Sequence, residues 1–126
     1  MIYLASPYTA ANPITMETRY LEACAAVAAF TDERTTVYSP IAHYHVVAKF
    51  GELPTDFAFW SRHNRHMLNL AEALWVLTLP GWQDSVGVTA EIDYAAEIYR
   101  PIKAVIPHGA GKYGIMPWGS FVDEDH

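Results

Sequence analysis

The stretch that most constrains this chain is residues 74–96, Leu-Trp-Val-Leu-Thr-Leu-Pro-Gly-Trp-Gln-Asp-Ser-Val-Gly-Val-Thr-Ala-Glu-Ile-Asp-Tyr-Ala-Ala. It opens with an apolar run that has no polar alternation before Thr78, the pattern of a strand covered on both faces. A Pro-Gly loop follows, then a helix opened by Ser85 and Gly87. A strand running into a helix N-terminus presents backbone N–H groups without intrahelical acceptors, at the positive end of the helix dipole. Such a place suits a phosphate or another anionic oxygen. Glu91 lies one and a half turns into the helix, where a carboxylate reaches the part of a ligand that is not the anion. The arrangement points to a phosphorylated or polyhydroxylated small molecule.

The same strand–loop–helix rhythm runs through the rest of the chain. Residues 2–5 read as a buried strand and residues 6–13 as a loop marked by two prolines. A helix over about residues 15–31 has Thr15 to Thr18 as candidate caps and Glu17 in its first turn. Tyr20, Cys24, Val27 and Ala28 share one of its faces. Residues 36–39 form a second strand, stopped by Pro40. Residues 41–50 read as a helix made irregular by His43-Tyr44-His45. A third helix starts at Thr55 or Asp56 and spaces Phe57, Trp60, Asn64, Met67 and Leu68 at helical intervals. Residues 73–79 are the third strand, 85–99 a helix stopped by Pro101, and 102–106 the fourth strand. The Gly-rich tail places residues 116–121 in a last short strand or against a neighbour. This alternation predicts an α/β fold: a flavodoxin-like or Rossmann-like parallel sheet of four to five strands, the first strand central and helices on both faces. Ligands of such sheets bind beyond the carboxyl ends of the strands, here where loops 6–13 and 80–85 meet.

At 126 residues the chain is read as one domain over residues 1–126. It is 52% hydrophobic but only 17% charged, and holds four Trp, eight Tyr and five Phe. Low charge and abundant aromatics predict a homo-oligomer, at least a dimer, with the tail 107–126 a candidate interface segment. The net charge of −6 and the lack of a basic stripe argue against nucleic-acid polymers as partners, while a single nucleotide or nucleoside still fits. The lone Cys24 forms no disulfide framework. No run approaches the roughly 18 apolar residues of a membrane span, and the N-terminus lacks signal-peptide character. No membrane partner and a cytoplasmic location are therefore expected.

Glu91 is the leading candidate for chemistry. On a helix starting at Ser85, Val88, Ile92, Ala95 and Tyr99 form one apolar stripe. Glu91 falls roughly 60° from Val88, on the flank of that stripe, while Asp93 and Glu97 face water. A half-buried carboxylate can serve as nucleophile or general base. Ser85 is the expected N-cap, and an anion would meet its hydroxyl and the N–H groups of Val86 and Gly87. Tyr8 could stack on a base or hydrogen-bond a catalytic carboxylate, and Arg19 could reach a phosphate. The pairs His43-x-His45 and His63-x-x-His66 lack the further ligands of a zinc site, so no metal is expected. No Gly-x-Ser-x-Gly, Gly-x-Gly-x-x-Gly or Walker loop occurs, so no cofactor is expected either.

Three segments carry a resemblance: Ile2-Tyr-Leu-Ala-Ser-Pro-Tyr8, Ala71-Glu-Ala-Leu-Trp-Val-Leu77, and above all Ser85-Val-Gly-Val-Thr-Ala-Glu91 followed by Ala95. They resemble the nucleoside 2-deoxyribosyltransferase-like superfamily, which includes deoxyribosyltransferases and 5′-monophosphate N-glycosidases. The pattern Gly-Trp-x-x-Ser-x-Gly-Val over residues 81–88 is most similar to a small bacterial branch, a domain of unknown function. The resemblance spans roughly residues 1–106. It implies that Glu91 attacks the anomeric carbon, Ser85 holds a 5′-phosphate and the first-loop Tyr8 lines the site, with Ser6 and Trp82 as further binding residues. The catalytic relatives carry an aspartate on the helix before the third strand, and the matching position here is Asn64. That departure shifts the acid role to His63, His66 or Asp56, or removes turnover. Three readings stand open: cleavage or transfer of an N-glycosidic bond, non-catalytic binding of a nucleotide or sugar phosphate, and a structural subunit with a vestigial pocket that takes no ligand. The resemblance also implies that a neighbouring subunit's tail, here Trp118 or the final acidic residues, completes the site.

Overall fold

Apart from two successive helices between the second and third strands, strands and helices alternate along the first hundred residues. The computed structural model describes residues 1–119. In chain order the elements are β1 (Ile2–Ala5), α1 (Pro13–Phe30), β2 (Val37–Tyr38), α2 (Pro40–Gly51), α3 (Phe57–Leu70), β3 (Ala73–Leu77), a 3₁₀ turn (Trp82–Asp84), α4 (Val86–Glu97), β4 (Ile102–Gly109) and β5 (Lys112–Pro117). The sheet order is β2-β1-β3-β4-β5. β1 pairs parallel with β2 and β3, and β3 pairs parallel with β4. The middle strand is β3, so the expectation of a central first strand is corrected: β1 is interior but sits one place from the edge.

Strand side chains alternate between two cores, as the period of two requires. Tyr3, Ala5, Leu74 and Val76 join Leu68 of α3 and Val88 and Ala95 of α4. Leu4, Leu77 and Val105 join Ala26 of α1 on the other side. Helices therefore cover both faces. A third cluster links α1, α2 and α3 beside the first loop through Ala23, Ile41, Tyr44, Ala48, Trp60 and Tyr8. Several aromatics that suggested a subunit interface are thus used inside the chain. Trp60 stacks on Tyr44 with ring centroids 4.0 Å apart and donates its indole N–H to the Pro54 carbonyl at 2.7 Å.

Local chemistry moves several boundaries. The cap of α1 is Asn12, whose side chain accepts the Ile14 N–H at 2.8 Å. Pro13 takes the first helical position, where a missing N–H is harmless. Thr15 to Thr18 are therefore not caps, Glu17 falls in the second turn, and the buried face centres on Ala23 and Ala26 while Ala28 is exposed. Pro40 opens α2 rather than merely stopping β2, with Ser39 as its cap. Helix α4 ends at Glu97, and Tyr99 is 91% exposed with φ +61°, so it drops out of the apolar stripe.

The tail departs most from expectation. β4 runs on to Gly109, and β5 pairs with it antiparallel. Ala110 and Gly111 make the turn with φ of +52° and +73°. Positive φ at both central residues is what a two-residue hairpin requires. The sheet thus has four parallel strands and one antiparallel edge. Trp118 meets Trp82 edge-on, ring centroids 5.7 Å apart. Residues 120–126, including the acidic end expected at an interface, lie outside the described residues. Among the described residues no helix is long and apolar enough to cross a membrane.

Candidate functional site

β1 leads to β2 on one side, and β3 leads to β4 on the other. The crevice between their carboxyl ends is the switch point of the sheet, where ligands of such folds bind. A cavity of about 410 Å³ opens there, within the size range of small-molecule sites. The first loop supplies Ser6 and Tyr8, and α2 supplies Tyr44. The start of α3 supplies Asp56 and Phe57, and its second turn Asn64. Asp84, Ser85, Val86, Gly87 and Glu91 come from the loop and helix that follow β3. Among the described residues, no Lys or Arg lines it.

Glu91 is 6% exposed. Tyr3, from the middle of β1, donates its hydroxyl to Glu91 Oε2. Burial pushes the Glu91 carboxyl up to about 8, and the Tyr3 bond pulls it part of the way back. The phenols around it respond in turn. Burial and then the Glu91 charge raise Tyr3 well above its ordinary range. Tyr38 is pushed up to about 12 by the same two causes, and Tyr44 also rises. A buried carboxyl that changes charge close to neutral pH within a group of neutral phenols suits general-base or nucleophilic chemistry.

Ser85 is the N-cap of α4, accepting the Val88 N–H at 3.2 Å. Its own O–H remains free to donate, beside the first N–H groups of the helix, those of Val86 and Gly87. A Cβ added at Gly87 would stand 3.9 Å from Ser85 Oγ and 4.0 Å from Glu91 Oε1. Those are ordinary contacts, so packing does not demand glycine there. Instead the missing side chain leaves room between the helix start and the carboxylate. Replacing Gly87 by Ala is therefore expected to raise stability by about 0.5–1 kcal/mol, the helix-propensity gain, while weakening binding of any ligand that spans Ser85 and Glu91. Thermal melts and ligand titrations of the one variant check both halves, and unchanged affinity would show that the space is not used.

Two cavity groups are buried without a partner among the described residues: Ser6 Oγ and Asn64 Oδ1, in side chains 5% and 6% exposed. Buried polar atoms are normally paired, so both can take a hydrogen bond from what fills the cavity. The remaining sequence candidates divide. Tyr8 lines the cavity, but its hydroxyl meets His45 Nδ1 at 2.6 Å rather than Glu91. Arg19 lies outside the cavity. Its guanidinium donates to the carbonyls of Thr9 at 3.0 Å and Pro80 at 3.3 Å, with a longer bond to Tyr8, so it ties the first loop to the loop after β3. Gly81, at φ +91°, lets that guanidinium pass, since an added Cβ would come within 2.7 Å of it. Trp82 also lies outside, packed on the core of α3 and α4. His63 and His66 line a separate cleft with Tyr38 and His43, so of the three alternative acids expected from the sequence Asp56 is the one that lines the cavity, alongside Asp84.

The sequence reading passed over Tyr3, weighed His45 only as a metal ligand and placed Glu17 only in a helical turn. A tyrosine inside a fully buried strand needs a partner for its hydroxyl, and that was the available signal for Tyr3. The pair of His45 and Glu17 joins helices α1 and α2 and left no local trace. With this geometry established, a family model described as Domain of unknown function (DUF1937) matches residues 1–105. The chain belongs to the DUF1937 family. The match covers β1 through the first half of β4, and so every residue of the cavity. Comparison with curated proteins gives no match.

Proposed function

We propose that this DUF1937 protein cleaves or transfers the N-glycosidic bond of a nucleoside or nucleoside 5′-monophosphate. The observation that carries the reading is the buried Glu91 carboxyl, held by Tyr3 in the same cavity as the α4 N-terminus. Glu91 attacks C1′ of the sugar, the C1′–N bond breaks, and the base departs with its bonding pair and a proton. Water or a second base then displaces the glycosyl ester, in the logic of a retaining glycosidase. The four parallel strands in the order β2-β1-β3-β4 support a flavodoxin-like frame for this site. The deciding test is incubation with a panel of nucleosides and their 5′-monophosphates, following free base. No release from any member would overturn the reading.

The anion subsite has its own test. Ser85→Ala is expected to weaken 5′-monophosphates by about 1–2 kcal/mol, the scale of one hydrogen bond to a charged group, with little change for the nucleosides. Calorimetric titration measures both, and equal affinity of the wild type for nucleoside and nucleotide would remove the phosphate role. Asp56 and Asp84 on the cavity wall favour hydroxyl-bearing ligands and restrict an anion to the helix start. A second reading, a binding module without turnover, is favoured by Asn64, whose amide has no titrating proton to give. In that case ligand binding survives and free base never appears.

A further inference from the structure

Resting on the glycosidic reading, one question is open in this site: what protonates the departing base, given that Asn64 cannot. We propose that Tyr8, coupled through His45 to Glu17, delivers that proton. Tyr8 is 5% exposed, in the loop after β1, and lines the cavity. Its Oη lies 2.6 Å from His45 Nδ1. His45 is itself buried on α2, stacked under Tyr20 at 4.1 Å, and its Nε2 lies 2.7 Å from Glu17 Oε2. Lys49 reaches the same oxygen at 3.1 Å.

The far end of this chain assigns its protons. The bonds from His45 and then Lys49 hold the Glu17 carboxyl below its ordinary range. Glu17 is therefore a carboxylate that only accepts, and His45 Nε2 carries hydrogen. Nδ1 then exchanges a proton with Tyr8 alone. With a neutral imidazole, Tyr8 donates to Nδ1. With an imidazolium, Nδ1–H donates to Tyr8 Oη and the phenolic hydrogen is free for the cavity. From that second form the step balances. As C1′–N breaks, the bonding pair stays on the base nitrogen, which takes the Tyr8 proton. Tyr8 Oη takes the Nδ1 proton, and His45 is left neutral with Nε2–H on Glu17. After the base leaves, Tyr8 returns a proton to Nδ1 and takes one from water in the cavity. Tyr8 is the catalytic residue here, and His45 and Glu17 are positioning residues that act through it. Burial and then the Glu17 charge hold the Tyr8 phenol above its ordinary range, so it stays protonated between turnovers.

The test varies the leaving group. Wild type, Tyr8→Phe and His45→Gln are assayed on ordinary nucleosides and 5′-monophosphates. Each is paired with an analogue whose base departs without an added proton or as a stabilised anion: 7-methylguanine for purines, 5-nitrouracil for pyrimidines. Gln at position 45 can accept from Tyr8 and donate to Glu17, but it cannot pass a proton. Both variants should lose about 100-fold or more on ordinary substrates, the scale of general acid catalysis, and stay within about threefold of wild type on the activated ones. Equal losses on both substrate classes, or a His45→Gln protein as active as wild type on ordinary substrates, would overturn the relay while leaving Glu91 chemistry intact. A wild type that releases base from neither class overturns the glycosidic reading, and the relay with it. Circular dichroism of each variant separates these outcomes from unfolding.

Discussion

Glu91→Gln is expected to abolish release of free base, by about a thousandfold or more, while raising stability at alkaline pH. The amide keeps the shape of the carboxyl and still accepts the Tyr3 hydroxyl bond. It is a far poorer nucleophile and carries no charge to stabilise a sugar cation. The stability arm follows from linkage. In the folded protein the Glu91 carboxyl sits at about 8, against 4.5 for the free side chain. Between those values the folded state holds a proton that the unfolded chain has lost, so stability falls as pH rises through that window. The loss is complete above about pH 8 and is at most about 5 kcal/mol. Gln does not titrate, so the melting curves of variant and wild type should lie close together near pH 5 and separate progressively toward pH 8–9. Scanning calorimetry across that range measures the gap. Parallel melting temperatures, with turnover within about tenfold of wild type, would mean that Glu91 neither titrates nor reacts as argued.

Tyr3→Phe should change both turnover and stability, and its pH signature is opposite in kind. The Tyr3 hydroxyl stabilises the charged form of Glu91. Without it the carboxyl titrates higher still, so the rising limb of the pH–activity profile should move to higher pH. Activity near pH 7 should fall about 10- to 100-fold, and most of it should return at pH 9 or above. Stability should change little near pH 5, where Glu91 is protonated in both proteins. Above pH 8 it should drop by about 1.5–3 kcal/mol, the worth of a hydrogen bond to a buried charge. A uniform loss of activity at every pH would assign Tyr3 to packing alone. The phenyl ring itself still fills the core beside Leu74 and Val88, so misfolding is not the expected cause of either change.

Much of this site was legible in one dimension because its decisive signals are local. Ser85, Gly87 and Glu91 fall within two turns of one helix, so the N-cap, the open first turn and the inward carboxylate follow from 3.6-residue spacing alone. The same spacing places Asn64 one turn from both Trp60 and Leu68 on the buried face of α3, while its candidacy for the site came from the family resemblance alone. Arg19 illustrates the limit. A lone arginine beside a candidate phosphate loop reads as an anion ligand, yet its five donors equally suit backbone carbonyls, and the loops it joins lie about 70 residues apart in the chain. Tyr8 and Tyr3 were exchanged for a related reason. Both could reach a carboxylate, and only the direction in which β1 presents Tyr3 to the α4 face decided which one does.

The sequence by itself determined the alternation of strands and helices, the loops that close the binding crevice, and the residues at the head of α4. These rest on periodicity, caps and turn formers, which act between neighbours along the chain. The tertiary structure alone decided that β3 is the middle strand, that the tail returns as an antiparallel edge, that Tyr3 partners Glu91, and that His45 bridges Tyr8 to Glu17. Each is a contact between segments distant in sequence. Such contacts depend on which faces are buried together, and burial is a property of the packed whole.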